Sequence, residues 1–131
     1  MNETKNVPLR AEDMTLVLAS LRAVQLLFDG SPDLHSICEW EMLNAEGIDS
    51  LCERINVTPV SGFDLDATER GTLYFALIMW TQWPDSHRYK RHVLAVLNED
   101  GEADTSDDAA RALRERLKDV ITPAERNPLV A

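Results

Sequence analysis

Apolar positions along the chain recur at helical intervals in about five segments. Between Ala11 and Phe28, the residues Met14, Val17, Leu18, Leu21 and Phe28 fall on one helical face, and Asp29 and Gly30 end the run. Ser31-Pro32-Asp33 then offers an N-cap residue, a proline suited to the first helical position and an early acid. Leu34, Ile37, Cys38, Met42 and Ala45 form the apolar stripe of the second helix this predicts. Past Gly47 the stripe restarts as Ile48, Leu51, Cys52 and Ile55.

The segment from Asn56 to Phe63, "NVTPVSGF", has the proline and glycine of a loop. Asp66 and Glu69 stand at capping-box spacing, with Asp in place of Ser or Thr, and they launch the most apolar part of the chain. This predicts a central helix to about Gln82, which "WPDS" then breaks. From Tyr89 to Leu97 helix and strand compete. Leu, Ala and Met outnumber β-branched residues there and in Leu73–Trp80, which favours helix. A last helix spans about Asp107 to Ile121, with Ala109, Ala110, Leu113, Leu117, Val120 and Ile121 on one face. The expected fold is therefore all-α, a compact bundle of about five helices around the apolar helix at Leu73–Trp80. The alternative is α+β, with a hairpin pairing 72–80 and 89–97. One domain, 1–131, is expected, with flexible ends at 1–9 and 122–131, where the chain is polar or proline-bearing.

Composition supports a packed core: 131 residues are 44% hydrophobic. Charge changes the picture more. Against 13 basic residues stand 23 acidic ones, a net charge of −10 that repels phosphate backbones and favours a basic partner. The acidity is segmented: 29–56 and 98–108 each carry net −6, whereas 85–97 and 109–131 each carry net +2. The start, "MNETKNVPLR", lacks the basic head and apolar run of a signal peptide, and "LYFALIMW" is too short to span a bilayer. Two cysteines do not make a disulfide framework, so no membrane association and a cytoplasmic setting are expected.

Candidate chemistry is sparse. In "VLNEDGEADTSD", placing Gly101 at the sixth position of a calcium loop puts Asn98, Asp100, Asp104 and Asp107 at ligand positions. The anchoring first position is Val96, however, and Asn, Asp, Gly and Ser are also what a turn and a helix cap require. Ile48 to Phe63 resembles the helix-turn-helix of bacterial repressors: Cys52 stands at the small-residue position, Asn56 at the tight turn, and Val57-Thr58 follow. That resemblance implies a DNA-binding transcriptional regulator. It departs from the pattern at Pro59 and Gly62, and Asp64, Asp66 and Glu69 point no base-reading cation towards a groove.

The stretch "WTQWPDSHRYKRH" gathers Trp83, Arg88 and Tyr89, residue types that anchor interfaces. His35, Cys38 and Cys52, with His87 or His92, could supply zinc ligands for a small metal-binding protein, but no paired-ligand spacing accompanies them. No catalytic set, cofactor site or metal site is assigned. The expected function is a non-enzymatic protein-interaction module (adaptor, chaperone or inhibitor) that binds a basic protein surface. A narrower form is a phage-type inhibitor whose carboxylates mimic nucleic acid. Its partner-binding residues are expected among Glu39, Glu46, Glu99, Asp100, Glu102 and Asp104, with Trp83, Arg88 and Tyr89. Homo-oligomerisation through an apolar stripe is left open.

Overall fold

A computed structural model describes residues 4–31, 42–57, 63–84, 87–97 and 106–122. The elements are β1 (Lys5–Val7), α1 (Met14–Gly30), α2 (Ala45–Val57), β2 (Phe63–Leu65), α3 (Ala67–Gln82), α4 (Arg88–Leu97) and α5 (Asp107–Ile121), with a 3-10 turn at Ala11–Asp13 before α1. The fold is an all-α bundle with one small antiparallel ribbon. In that ribbon Lys5 pairs with Leu65, Asn6 with Asp64 and Val7 with Phe63.

Apolar patterning accounts for the helices. α1 turns Leu16, Val17, Leu21, Val24 and Phe28 inward, and it packs against α2, α3 and α4. α3 is apolar on most of its circumference and buries Leu73, Ala76, Leu77 and Trp80 between α1 and α5. Phe28 and Phe75 stack across the α1–α3 contact with centroids 6.0 Å apart. On α5 the buried residues Ala110, Leu113, Leu117 and Ile121 recur every three or four positions against an otherwise charged helix.

Helix starts follow the capping signals. Asp66 accepts a hydrogen bond from the Glu69 amide at 2.8 Å, and the Glu69 carboxylate accepts from the Asp66 amide at 2.9 Å, a reciprocal capping box. The second oxygen of Glu69 meets Arg54 at 2.8 Å, tying the end of α2 to the start of α3. Ser106 caps α5 through the Ala109 amide.

Several expectations change. The hairpin pairing 72–80 with 89–97 does not form: both segments are helical, as α3 and α4, because their unbranched side chains suit a helix and both have apolar partners on α1. α2 does not restart after Gly47. It begins at Ala45, with Asn44 accepting from the Gly47 amide at 2.8 Å, so Gly47 sits inside the first turn. The bulk of the second predicted helix, 32–41, lies outside the described residues. Near the N-terminus, where polar composition suggested a frayed end, residues 5–7 pair with β2, and Val7 and Leu9 are buried. The ribbon is further fixed from the neighbouring helices. Arg70 donates to the Leu65 carbonyl, Asp13 accepts from the Arg10 amide, and Arg116 of α5 reaches Asp13.

Candidate functional site

Two features at α4 gather Trp83, Arg88, Tyr89 and the two described histidines. The first is the junction between α3 and α4. α3 ends at Gln82, and Trp83 caps it in extended conformation, its amide donating to the Met79 carbonyl at 2.9 Å. Trp83 is 9% exposed and lies flat on His87, with ring centroids 4.6 Å apart and planes 9° apart. Tyr89 tilts against both rings. Its hydroxyl accepts from Arg88 at 2.8 Å, and the Arg88 guanidinium lies over the Tyr89 ring. A Cβ at Gly30 would stand 3.2 Å from the Tyr89 oxygen, so glycine at the end of α1 allows this close approach.

Beneath the aromatic rings lies Lys90, 1% exposed. Its ammonium donates to the carbonyls of Trp80 at 2.6 Å and Trp83 at 3.0 Å, and to Asp107 at 2.8 Å. It also lies 5.0 Å from the centre of the Trp80 ring. Among the described residues, these three acceptors match the three N–H bonds of an ammonium, the condition under which a buried lysine is tolerated. Two of them are carbonyls at the end of α3, where the helix dipole favours a cation, and the third is at the start of α5. Lys90 therefore joins three helices at one point.

The second feature is a groove of about 330 Å³ between α1 and α4. Leu18, Ala19, Leu26, Val93 and Val96 line it, with Arg22, Gln25 and His92 at its polar edges. Arg22 donates to Asp49 of α2 at 2.6 Å and to Gln25 at 2.7 Å. Partial burial works against the Arg22 cation, but the hydrogen bond and charge of Asp49 outweigh it and raise its pKa. The same hydrogen bond holds the Asp49 carboxyl below its ordinary range. Cys52, one turn further along α2, is fully buried. Burial pushes its thiol up to about 11, although Arg22 pulls in the opposite direction. A thiol so placed is a core residue rather than a nucleophile at neutral pH.

Of the residues expected at an interface, Trp83, Arg88 and Tyr89 are brought together. Trp83 is packed away, which leaves Arg88 and part of Tyr89 to solvent. Glu46 is exposed in the first turn of α2, remote in sequence from that cluster. Glu39, Glu99, Asp100, Glu102 and Asp104 lie outside the described residues, as do His35, Cys38 and the calcium-like positions 98–105. His87 packs on Trp83 while His92 lines the groove, so the two histidines serve separate features. Among the described residues, no three or more His, Cys, Asp or Glu side chains are grouped to hold a metal ion. β2 occupies 63–65, where the recognition helix implied by the repressor resemblance would run. No helix among the described residues is long and apolar enough to cross a membrane.

Sequence reasoning missed the buried role of Lys90 and the groove altogether. The only trace of the first was a lysine at a position where the helical stripe called for an apolar residue. No family model, curated protein or solved structure matches the chain.

Proposed function

We propose that this chain is a non-enzymatic interaction module that binds a basic protein surface through its acidic segments. The observation that carries the reading is the partition of charge. Residues 29–56 and 98–108 each carry net −6, whereas 85–97 and 109–131 each carry net +2. Several described acids are matched by cations in defined pairs: Asp13 with Arg116, Asp49 with Arg22, Glu69 with Arg54, and Asp107 with Lys90. The surplus is concentrated in two short stretches, with Asp33, Glu39 and Glu41 in 32–41 and Glu99, Asp100, Glu102 and Asp104 in 98–105. Neither stretch contains a lysine or arginine. Turn formation and helix capping need no such charge, whereas recognition of a basic partner does.

The reading is tested by replacing Glu99, Asp100, Glu102 and Asp104 together with their amides. Basic proteins captured from a host extract by the full chain are then compared with those captured by the variant, at an ionic strength of about 0.15 M. Loss of the basic partners is the expected result, and an unchanged set would end the proposal. The narrower form, carboxylates standing in for phosphates, adds one requirement: duplex DNA must compete with the chain for the same partner.

A further inference from the structure

We propose that the groove between α1 and α4 binds a small anionic amphiphile, an aliphatic chain that ends in a carboxylate. Its tail lies on Leu18, Leu26, Val93 and Val96, and its head meets Arg22 and His92. This goes beyond the acidic-segment reading and does not rest on it.

The walls supply the site for the tail. Leu18 and Leu26 stand two turns apart on α1, facing Val93 and Val96 of α4 across about 330 Å³. That volume is at the small end of ligand pockets, which are mostly apolar and hold a few polar groups that fix orientation. Val96 is 59% exposed and is the one large apolar side chain so exposed among the described residues. An isolated exposed valine needs no explanation, but this one continues an apolar surface with half-buried Leu18 and Leu26. Gly30 at the end of α1 lies against Tyr89 at the start of α4, so the two helices run antiparallel along the groove. Val96 therefore lies towards the Leu18 end, and His92 lies one turn of α4 away from it.

Charge selects the head. Among the described residues, no acid lines the groove, whereas Arg22 and His92 do. Arg22 donates to Asp49 and Gln25 from Nη1 alone. Its Nε and Nη2 have no partner among the described residues, which leaves an edge of the guanidinium for a carboxylate. Asp49 and Glu53 of α2 keep this arginine charged. The helices forming the walls continue the sign: α4 has no acid, and the single acid of α1 is Asp29. Lys90 is taken up by Asp107, which leaves Arg88 and Arg91 against Asp29. Arg88 and His92 lie one turn apart, on the same face of α4 as Val96. An anionic head with an aliphatic tail therefore complements the groove, and a cationic head is repelled from it.

The test uses the full chain with decanoate, decan-1-ol, decyltrimethylammonium and acetate, all below micelle-forming concentrations. Affinity is read by titration calorimetry and the place of binding by methyl chemical shifts. Decanoate is expected to bind once per chain, at least about tenfold more tightly than the alcohol or the cation, the scale of one charge-assisted hydrogen bond. Non-specific attraction to a chain of net charge −10 would favour the cation, so a preference for decanoate has to come from the site. Acetate keeps the head without the tail, and is expected to bind at least about a hundredfold more weakly than decanoate. The shifts should fall on Leu18, Leu26, Val93 and Val96. Arg22→Gln is expected to bring decanoate down to the affinity of the alcohol, whose unchanged binding shows that the groove is intact. Val96→Asp, at an exposed position, is expected to weaken decanoate without moving the thermal midpoint. The inference is overturned if the alcohol or the cation binds as tightly as decanoate, if acetate does, or if the shifts fall elsewhere. It is equally overturned if both variants bind decanoate as the parent does. A helical peptide with leucines on one face and glutamates on the other is the remaining control. Binding of that peptide at the groove without binding of decanoate overturns the small-molecule site in favour of an acidic helix. None of these outcomes bears on the acidic-segment reading, whose carboxylates the experiment leaves untouched.

Discussion

On one side of α4 a lysine is buried with every N–H bond satisfied, while on the other a valine lies open to solvent beside a groove. The buried charge at Lys90 is explained within the fold, because it ties the end of α3 and the start of α5 to α4. The exposed Val96 is not, since nothing in the α1–α4 contact requires an apolar residue at that position. A side whose polar groups are all satisfied has a structural purpose that is already met. An apolar side left uncovered is where a partner gains most by binding.

The largest effect is expected from breaking the sealed side. Lys90→Ala removes the aliphatic stem and leaves two carbonyls and Asp107 without their donor, at a cost of roughly 3 kcal/mol in denaturant unfolding. Lys90→Met keeps the stem and should recover part of that loss. If Met were as damaging as Ala, the hydrogen bonds rather than the packing would carry the whole effect.

A smaller effect is expected at the buried face of α2, where Cys52 lies. The Cys52 thiol ionises near its ordinary value when unfolded and is pushed up to about 11 in the fold. Between those limits the folded chain holds more protons, so stability must fall as pH rises from about 9 to about 11, by on the order of 2 kcal/mol. Below that window the thiol is protonated in both states and contributes no slope. The slope should disappear in Cys52→Ala, whatever that change does to absolute stability. Peptide-level alkylation should likewise find Cys52 protected at neutral pH in the folded protein.

The smallest effect belongs to the open side. Val96→Ala should alter stability by no more than about 0.5 kcal/mol, the range for surface positions away from caps and buried networks. A larger loss would mean that Val96 is part of the core after all, and the contrast between the two sides would fail.

Much of the helical framework was legible because its signals are local. The capping box at Asp66 and Glu69 set the start of α3, and Ser106 with its following acids set the start of α5. Unbranched residues decided in favour of helix from 89 to 97. Reading Gly47 as a break was misleading, since a glycine near a helix start is tolerated once Asn44 caps the turn. The ribbon joining residues 5–7 to 63–65 was beyond reach. Each strand has only three residues, and what makes them strands is each other. At the candidate site, the aromatic and basic residues around Trp83 were visible as a cluster, but not that Trp83 would be packed against His87 while Arg88 stayed outside.

The sequence by itself determined where α3 and α5 begin, which faces are apolar, and that negative charge is concentrated in 29–56 and 98–108. Those properties follow from periodicity, capping chemistry and residue counts, which need no distant neighbour. Only the tertiary structure decided that Lys90 is an internal tie and Val96 an exposed edge. The same helix carries both, and which side is covered depends on where α1, α3 and α5 come to lie. Burial is a property of the assembled neighbours, so a residue's surroundings can reverse what its type suggests.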